Sequence, residues 1–297
     1  MACAPGAFAE TYDVYLLAGQ SNMVGYGMSA ELPEDIASPM PGVLIFHGAD
    51  AADGVADPAT GQGEWVPLRP GHGIGFTVQN GKNTYSDCFG VELSFAQQLE
   101  KCRPDRHIAL IKYARGGTSI DPAAAGHFGC WAPDFNRRDG INQYDHCLAA
   151  IRYAFAVRDI DGDGEDDELI PAGIVWMQGE ADAYTSEATA RAYTANLKHL
   201  MDLLRAALRY DDLPVVIGRI SDSGQDEDGK QWDYGDIVRA AQAEFVEQDP
   251  RAALVTSTDK YSYSDPYHYD SAGYIDLGRE FADAMCKLIE RKPKLDR

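Results

Sequence analysis

The stretch Tyr15-Leu16-Leu17-Ala18-Gly19-Gln20-Ser21-Asn22-Met23 decides how the chain is read. An apolar run breaks abruptly into Gly-Gln-Ser-Asn, the pattern of a buried strand that turns into a helix. A serine at the carboxyl end of such a strand sits at the crevice where open α/β sheets bind ligands. Ser and Asn also cap helices, so this segment alone leaves a nucleophile and a cap equally open. The far end of the chain separates them. Asp265-Pro266-Tyr267-His268 offers an acid and an imidazole three residues apart, a spacing that brings side chains to roughly 5–6 Å at Cβ on a helical turn. A serine nucleophile needs a base, and the base needs a third group to fix its tautomer. In this reading Asp265 accepts the Nδ1 proton of His268 while Nε2 faces Ser21.

Outward from that first strand, apolar runs at 13–18, 43–46, 107–113, 172–177, 215–220 and 253–257 alternate with amphipathic stretches at 91–102, 141–158, 183–208, 237–248 and 271–291. Short strands each followed by a helix indicate a mainly parallel sheet covered on both faces. The expected fold class is therefore α/β, a three-layer α/β/α sandwich of flavodoxin-like type with about five or six strands. Residues 1–297 are expected to form one domain, with 1–11 a leader remnant or disordered start. Two stretches rich in Gly and polar residues, 47–88 and 114–140, follow strands. Long loops in a compact domain are more often functional than idle, so both are expected to wall the crevice.

The formal charge of −21 argues against nucleic acid and anionic membranes as partners, because phosphate binding rests on Lys and Arg. No run of 18 or more apolar residues occurs, so a transmembrane helix is not expected. The six cysteines (3, 88, 102, 130, 147 and 286) include no C-x-x-C pair, which disfavours a zinc or redox site. Proximity in sequence suggests disulfides Cys88–Cys102 and Cys130–Cys147.

Four blocks occur in order: Gly19-Gln20-Ser21-Asn22-Met23, Gly116-Gly117, Trp176-Met177-Gln178-Gly179-Glu180-Ala181-Asp182 and Asp265-Pro266-Tyr267-His268. Together they resemble the SGNH (GDSL-like) hydrolase superfamily. Within it they are most similar to sialate O-acetylesterases and to the acetylxylan esterases of carbohydrate esterase family six. Gln178 stands where the wider superfamily has Asn, as is usual in this branch. The resemblance implies Ser21, His268 and Asp265 as a catalytic set and a tetrahedral oxyanion held by Ser21 N–H, Gly117 N–H and the Gln178 amide. Preorganised donors of this kind are usually the largest catalytic contribution. Supporting or substrate-binding roles fall to Gln20, Asn22, Arg115, Gly116 and Glu180. Glu180 either braces the Ser21 loop or replaces Asp265 behind His268. His72, His127 and the tryptophans Trp65, Trp131 and Trp176 are candidates for sugar contact, although burial is the commoner fate of tryptophan.

The run Asp159-Ile160-Asp161-Gly162-Asp163-Gly164 matches the first half of a calcium loop, with oxygen ligands at alternate positions. Position twelve, where a bidentate Glu belongs, is Ile170. A structural calcium on Asp159, Asp161 and Asp163 and a solvated acidic turn are the two readings of this run. No cofactor is expected in the chemistry itself. The function expected is removal of O-acetyl groups from carbohydrate, acetylxylan or a similar polymer, through an acetyl-enzyme. A sialate O-acetylesterase, a broad aryl or lipid esterase and a non-catalytic carbohydrate binder are the alternatives. Secretion or a periplasmic location is expected, with the cytoplasm and the oligomeric state left open.

Overall fold

The computed structural model describes residues 9–36, 38–50, 60–136 and 140–291. Most of the expected leader remnant and Cys3 lie outside this set, and Thr11 already belongs to the first strand.

Seven strands form one sheet. They are β1 (Thr11–Gly19), β2 (Met40–His47), β3 (Trp65–Leu68), β4 (His107–Ala114), β5 (Glu168–Met177), β6 (Val215–Gly218) and β7 (Ala252–Val255). The order across the sheet is β7-β6-β5-β1-β4-β2-β3. Every neighbouring pair is parallel except β2 with β3. The edge strand β3 was not expected from the sequence. Pro67 within it cannot donate to a ladder, a residue that reads as a loop signal and is tolerated at a sheet edge.

Helices flank the sheet: α1 (Ser21–Val24), α2 (Glu92–Cys102), α3 (Gln143–Ala156), α4 (Glu180–Thr185), α5 (Glu187–Ala207), α6 (Gly235–Gln248) and α7 (Ser271–Glu290). Alternate residues of a strand point to opposite faces. On one face the Tyr15 ring meets Phe95 of α2, and a Cβ on Gly173 would meet Met285 of α7. On the other, the Trp176 ring meets Trp131. The stretch expected as one helix over 183–208 is two, because Ser186 is extended and its hydroxyl caps α5 by accepting from Thr189 N at 3.2 Å.

The disulfide differs from the expected pairs. Cys102 at the end of α2 is bonded to Cys286 on α7, with Cα atoms 6.6 Å apart, while Cys88, Cys130 and Cys147 are free. Helix packing joins residues 184 apart in sequence, so nearness along the chain was the wrong guide. A cross-link over so long a loop typically contributes about 2–4 kcal/mol. No helix among the described residues is long and apolar enough to cross a membrane.

Candidate active site

The sheet register assembles the site. Gly19, the last residue of β1, pairs with Ala114 of β4 on one side and with Met177 of β5 on the other. The segments that leave the sheet at this edge are therefore Gln20-Ser21, Arg115-Gly116-Gly117 and Gln178-Gly179-Glu180, side by side. Here the strand order reverses: β2, β3 and β4 lie to one side of β1 and β5, β6 and β7 to the other. Such a switch point is where open α/β sheets bind ligands. Gly19 takes φ of +147°, and a Cβ there would run into the Met177 carbonyl, so only glycine lets the chain turn this tightly.

Ser21 opens the short helix α1 and is 7% exposed. Its neighbours hold the turn. Gln20 N–H donates to Met177 O at 2.9 Å, and Gln20 Oε1 accepts from Gly179 N and Ala181 N, each at 3.4 Å. Below α1, the Lys112 ammonium donates to Val24 O, to His72 O and to Glu92 Oε2. Lys112 and Glu92 are both fully buried, and all three ammonium donors are matched.

Asn22 ties the two ends of the chain together. Its Nδ2 donates to Glu180 Oε1 at 2.8 Å and to Tyr267 O at 3.2 Å. Its Oδ1 accepts from Tyr274 Oη at 2.8 Å and from Tyr269 N at 3.4 Å. The residue next to Ser21 is thus bonded to the backbone on both sides of His268. His268 Nδ1 lies 2.7 Å from Asp265 Oδ2, and Asp265 Oδ1 accepts from Tyr267 N and His268 N. Partial burial would raise the Asp265 carboxyl, but the His268 contact and those N–H groups outweigh it and hold it below its ordinary value. The His268 ring stacks on Tyr26 with centroids 3.5 Å apart.

A Cβ placed on Gly116 would lie 3.4 Å from Ser21 Cβ and 3.9 Å from Tyr26 Oη. Gly117, exposed and at φ +69°, follows it beneath Phe128. Among the described residues the N–H groups of Ser21, Gly116 and Gly117 have no hydrogen-bond partner. The sequence-expected oxyanion donor Gln178 is different. It is fully buried, and both Nε2 hydrogens are engaged, by Thr118 O at 3.0 Å and Asp182 Oδ2 at 2.7 Å. Its Oε1 accepts from Tyr193 Oη. Gln178 therefore braces the Gly116–Thr118 segment and has no donor left for an oxyanion.

Asp182, a residue whose role the sequence did not disclose, completes that brace by accepting from Ile120 N at 3.0 Å and Asp121 N at 2.9 Å. Burial raises its carboxyl from the usual carboxylate range to about 7, against the opposing hydrogen bonds from Gln178 and the two backbone N–H groups. Its folded-state value lies above the unfolded one, so its stabilising contribution is complete below pH 3.8 and lost as pH rises through about 7. Relative to Asp182→Asn, the wild type is accordingly expected to lose unfolding free energy, measured in urea, between pH 5 and pH 8. Equal slopes for the two proteins would remove Asp182 from this account. Glu180 lies beside Asn22. Its carboxyl, raised by burial against the Asn22 hydrogen bond, faces Asn22, whereas Asp265 holds His268.

The tryptophans expected at the crevice are held elsewhere, and the remaining expected residues have the following surroundings. Trp131 and Trp176 are fully buried against each other, and Trp131 Nε1 donates to Thr118 Oγ1. Trp65 Nε1 donates to Ala154 O. His72 is buried with its Nδ1 3.2 Å from that of His47, whereas His127 is exposed over Phe128. Arg115 lies 3.6 Å from Asp50. In the acidic loop the carboxylates that converge are Asp159, Asp161 and Asp167, within 4.8 Å of one another. Asp163 is not among them, and its Oδ1 accepts from Glu165 N. This loop precedes β5 and so lies at the amino-terminal end of that strand, opposite the crevice.

Residues 11–287 match the profile of the family described as carbohydrate esterase, sialic acid-specific acetylesterase. A search of curated proteins finds no match. Among solved structures the chain is similar to an Arabidopsis thaliana protein at 20% identity and TM-score 0.64, over 93% of this chain and 98% of that one. It is also similar to a carbohydrate acetylesterase from Xanthomonas citri at 16% identity and TM-score 0.63, over 93% of this chain and 56% of that one. NanS follows at 18% identity and TM-score 0.56, over 94% and 98%. With the profile covering all seven strands of the sheet and all four motif blocks, the chain belongs to the sialic acid-specific acetylesterase family of carbohydrate esterases and is a carboxylic ester hydrolase.

Proposed function

We propose that the chain is a serine carbohydrate O-acetylesterase whose substrate is a neutral acetylated polysaccharide or oligosaccharide such as acetylxylan. The observation that supports this reading is Asn22, the neighbour of Ser21, which hydrogen-bonds the backbone on both sides of His268, while His268 Nδ1 lies 2.7 Å from Asp265 Oδ2. Ser21 Oγ attacks the acetyl carbonyl and His268 Nε2 takes its proton. The tetrahedral oxyanion is held by the N–H groups of Ser21 and Gly117. Its collapse expels the sugar hydroxyl, which leaves with the proton from His268. Water, deprotonated by His268, then attacks the acetyl-enzyme, releases acetate and restores Ser21.

Neutral substrates are favoured by the −21 charge, which repels anions at long range. A sialate substrate is the second reading, supported by the description of the matched family. Acetate released from acetylated xylan, measured beside that from O-acetylated sialic acid, tests the choice. The xylan is expected to be the better substrate, and the reverse ratio would transfer the assignment to sialate. The Cys102–Cys286 disulfide supports export to an oxidising compartment.

A further inference from the structure

An unbroken run of aromatic rings leads away from the candidate base. Tyr267 lies edge-on to His268 with centroids 6.1 Å apart, Trp232 is 5.8 Å from Tyr267, and Tyr184 is 6.4 Å from Trp232. Tyr267 is 47% and Tyr184 60% exposed, among the most exposed large apolar side chains described, while Trp232 packs one side on the core. The three rings come from three segments, and each is fastened. Asp222 accepts from Gln231 N and Trp232 N, both at 2.9 Å. Ser223 Oγ donates to Pro266 O at 2.8 Å, and Tyr234 N to Ala183 O at 2.9 Å. With the backbone that carries them fixed, these exposed rings need little chain ordering to be used, which is what a preorganised binding surface requires. The rings are inclined, Trp232 by 45° to Tyr267 and by 85° to Tyr184, so a chain that follows them turns from unit to unit, with sugar C–H groups against the electron-rich ring faces.

We propose that Tyr267, Trp232 and Tyr184 form a platform for successive neutral pyranose residues of a glycan chain whose acetylated unit lies at Ser21. This deepens, and rests on, the carbohydrate reading above. It makes the enzyme one that acts on chains and not on free acetylated monosaccharides.

The test compares acetylated xylo-oligosaccharides with p-nitrophenyl acetate. Tyr184→Ala and Trp232→Ala are each expected to raise KM for the oligosaccharide about tenfold, and to lower its kcat/KM relative to the aryl ester by the same factor. Trp232→Phe restores most of the loss. Tyr210→Ala, an exposed tyrosine beyond the carboxyl end of α5, alters neither rate. An unchanged ratio in both platform variants overturns the proposal. Calorimetric titration of the Ser21→Ala protein with unacetylated xylohexaose separates this result from the esterase reading. Binding that is lost on adding Tyr184→Ala upholds the platform even if no glycan is deacetylated. Acetate release without such binding removes the platform and leaves the esterase reading standing.

Discussion

Ser21→Ala is expected to cut turnover of p-nitrophenyl acetate by about five to six orders of magnitude, as loss of the nucleophile does where serine and imidazole act as a unit. The substitution has little to disturb. Among the described residues the Ser21 hydroxyl makes no hydrogen bond, whereas the turn is held by Gln20 and Asn22. The variant's unfolding free energy in urea should therefore stay within about 0.5 kcal/mol of the wild type, the usual range for a substitution that removes no contact. Labelling by a serine-directed phosphonate should vanish with activity. Near-normal turnover in a folded Ser21→Ala protein would place the chemistry elsewhere.

Much of this arrangement was readable before any coordinates. The strand ending at Gly19, the Gly116-Gly117 loop and the Asp265–His268 turn follow from local pattern, and the parallel register does the rest by carrying three strand ends to one edge. What the sequence did not disclose depends on packing between distant segments. Pro67 hid an edge strand. The Cys102–Cys286 pair exists because α2 lies against α7. Gln178 has the right residue type and position for an oxyanion donor, yet Thr118 O and Asp182 take both of its hydrogens. Asp182 stands within the quoted motif, and its offset of four from Gln178 at a helix start was the available signal. Tyr26 carried none, since its role comes only from stacking on His268. Trp131 and Trp176 looked like sugar platforms and are core, while the exposed rings of Tyr184 and Tyr267 went unremarked.

Asp265→Asn should lower kcat by about ten-thousand-fold, and more than Asp265→Ala does. The reason lies in how the carboxylate is oriented. Oδ1 accepts two backbone hydrogen bonds, from Tyr267 N at 2.8 Å and His268 N at 2.9 Å, while Oδ2 faces His268 Nδ1 at 2.7 Å. An asparagine must keep its carbonyl on the two N–H donors, so its NH2 group turns to Nδ1. Nδ1 then has to accept, which moves the imidazole proton to Nε2 and removes the lone pair that would take the proton of Ser21. Alanine imposes neither tautomer and leaves a fraction competent. Glu180→Gln is the contrasting case. Its Oε1 can still accept from Asn22 Nδ2, and the substitution removes a buried carboxyl whose Oε2 has no partner among the described residues. Its effect on kcat is expected to stay below about tenfold, since a hydrogen bond that can be remade costs little. Were Glu180→Gln as damaging as Asp265→Asn, or Asp265→Ala worse than Asp265→Asn, the tautomer argument would fail. Asp265 would then be a loop anchor, with the acid behind His268 to be sought at Glu180.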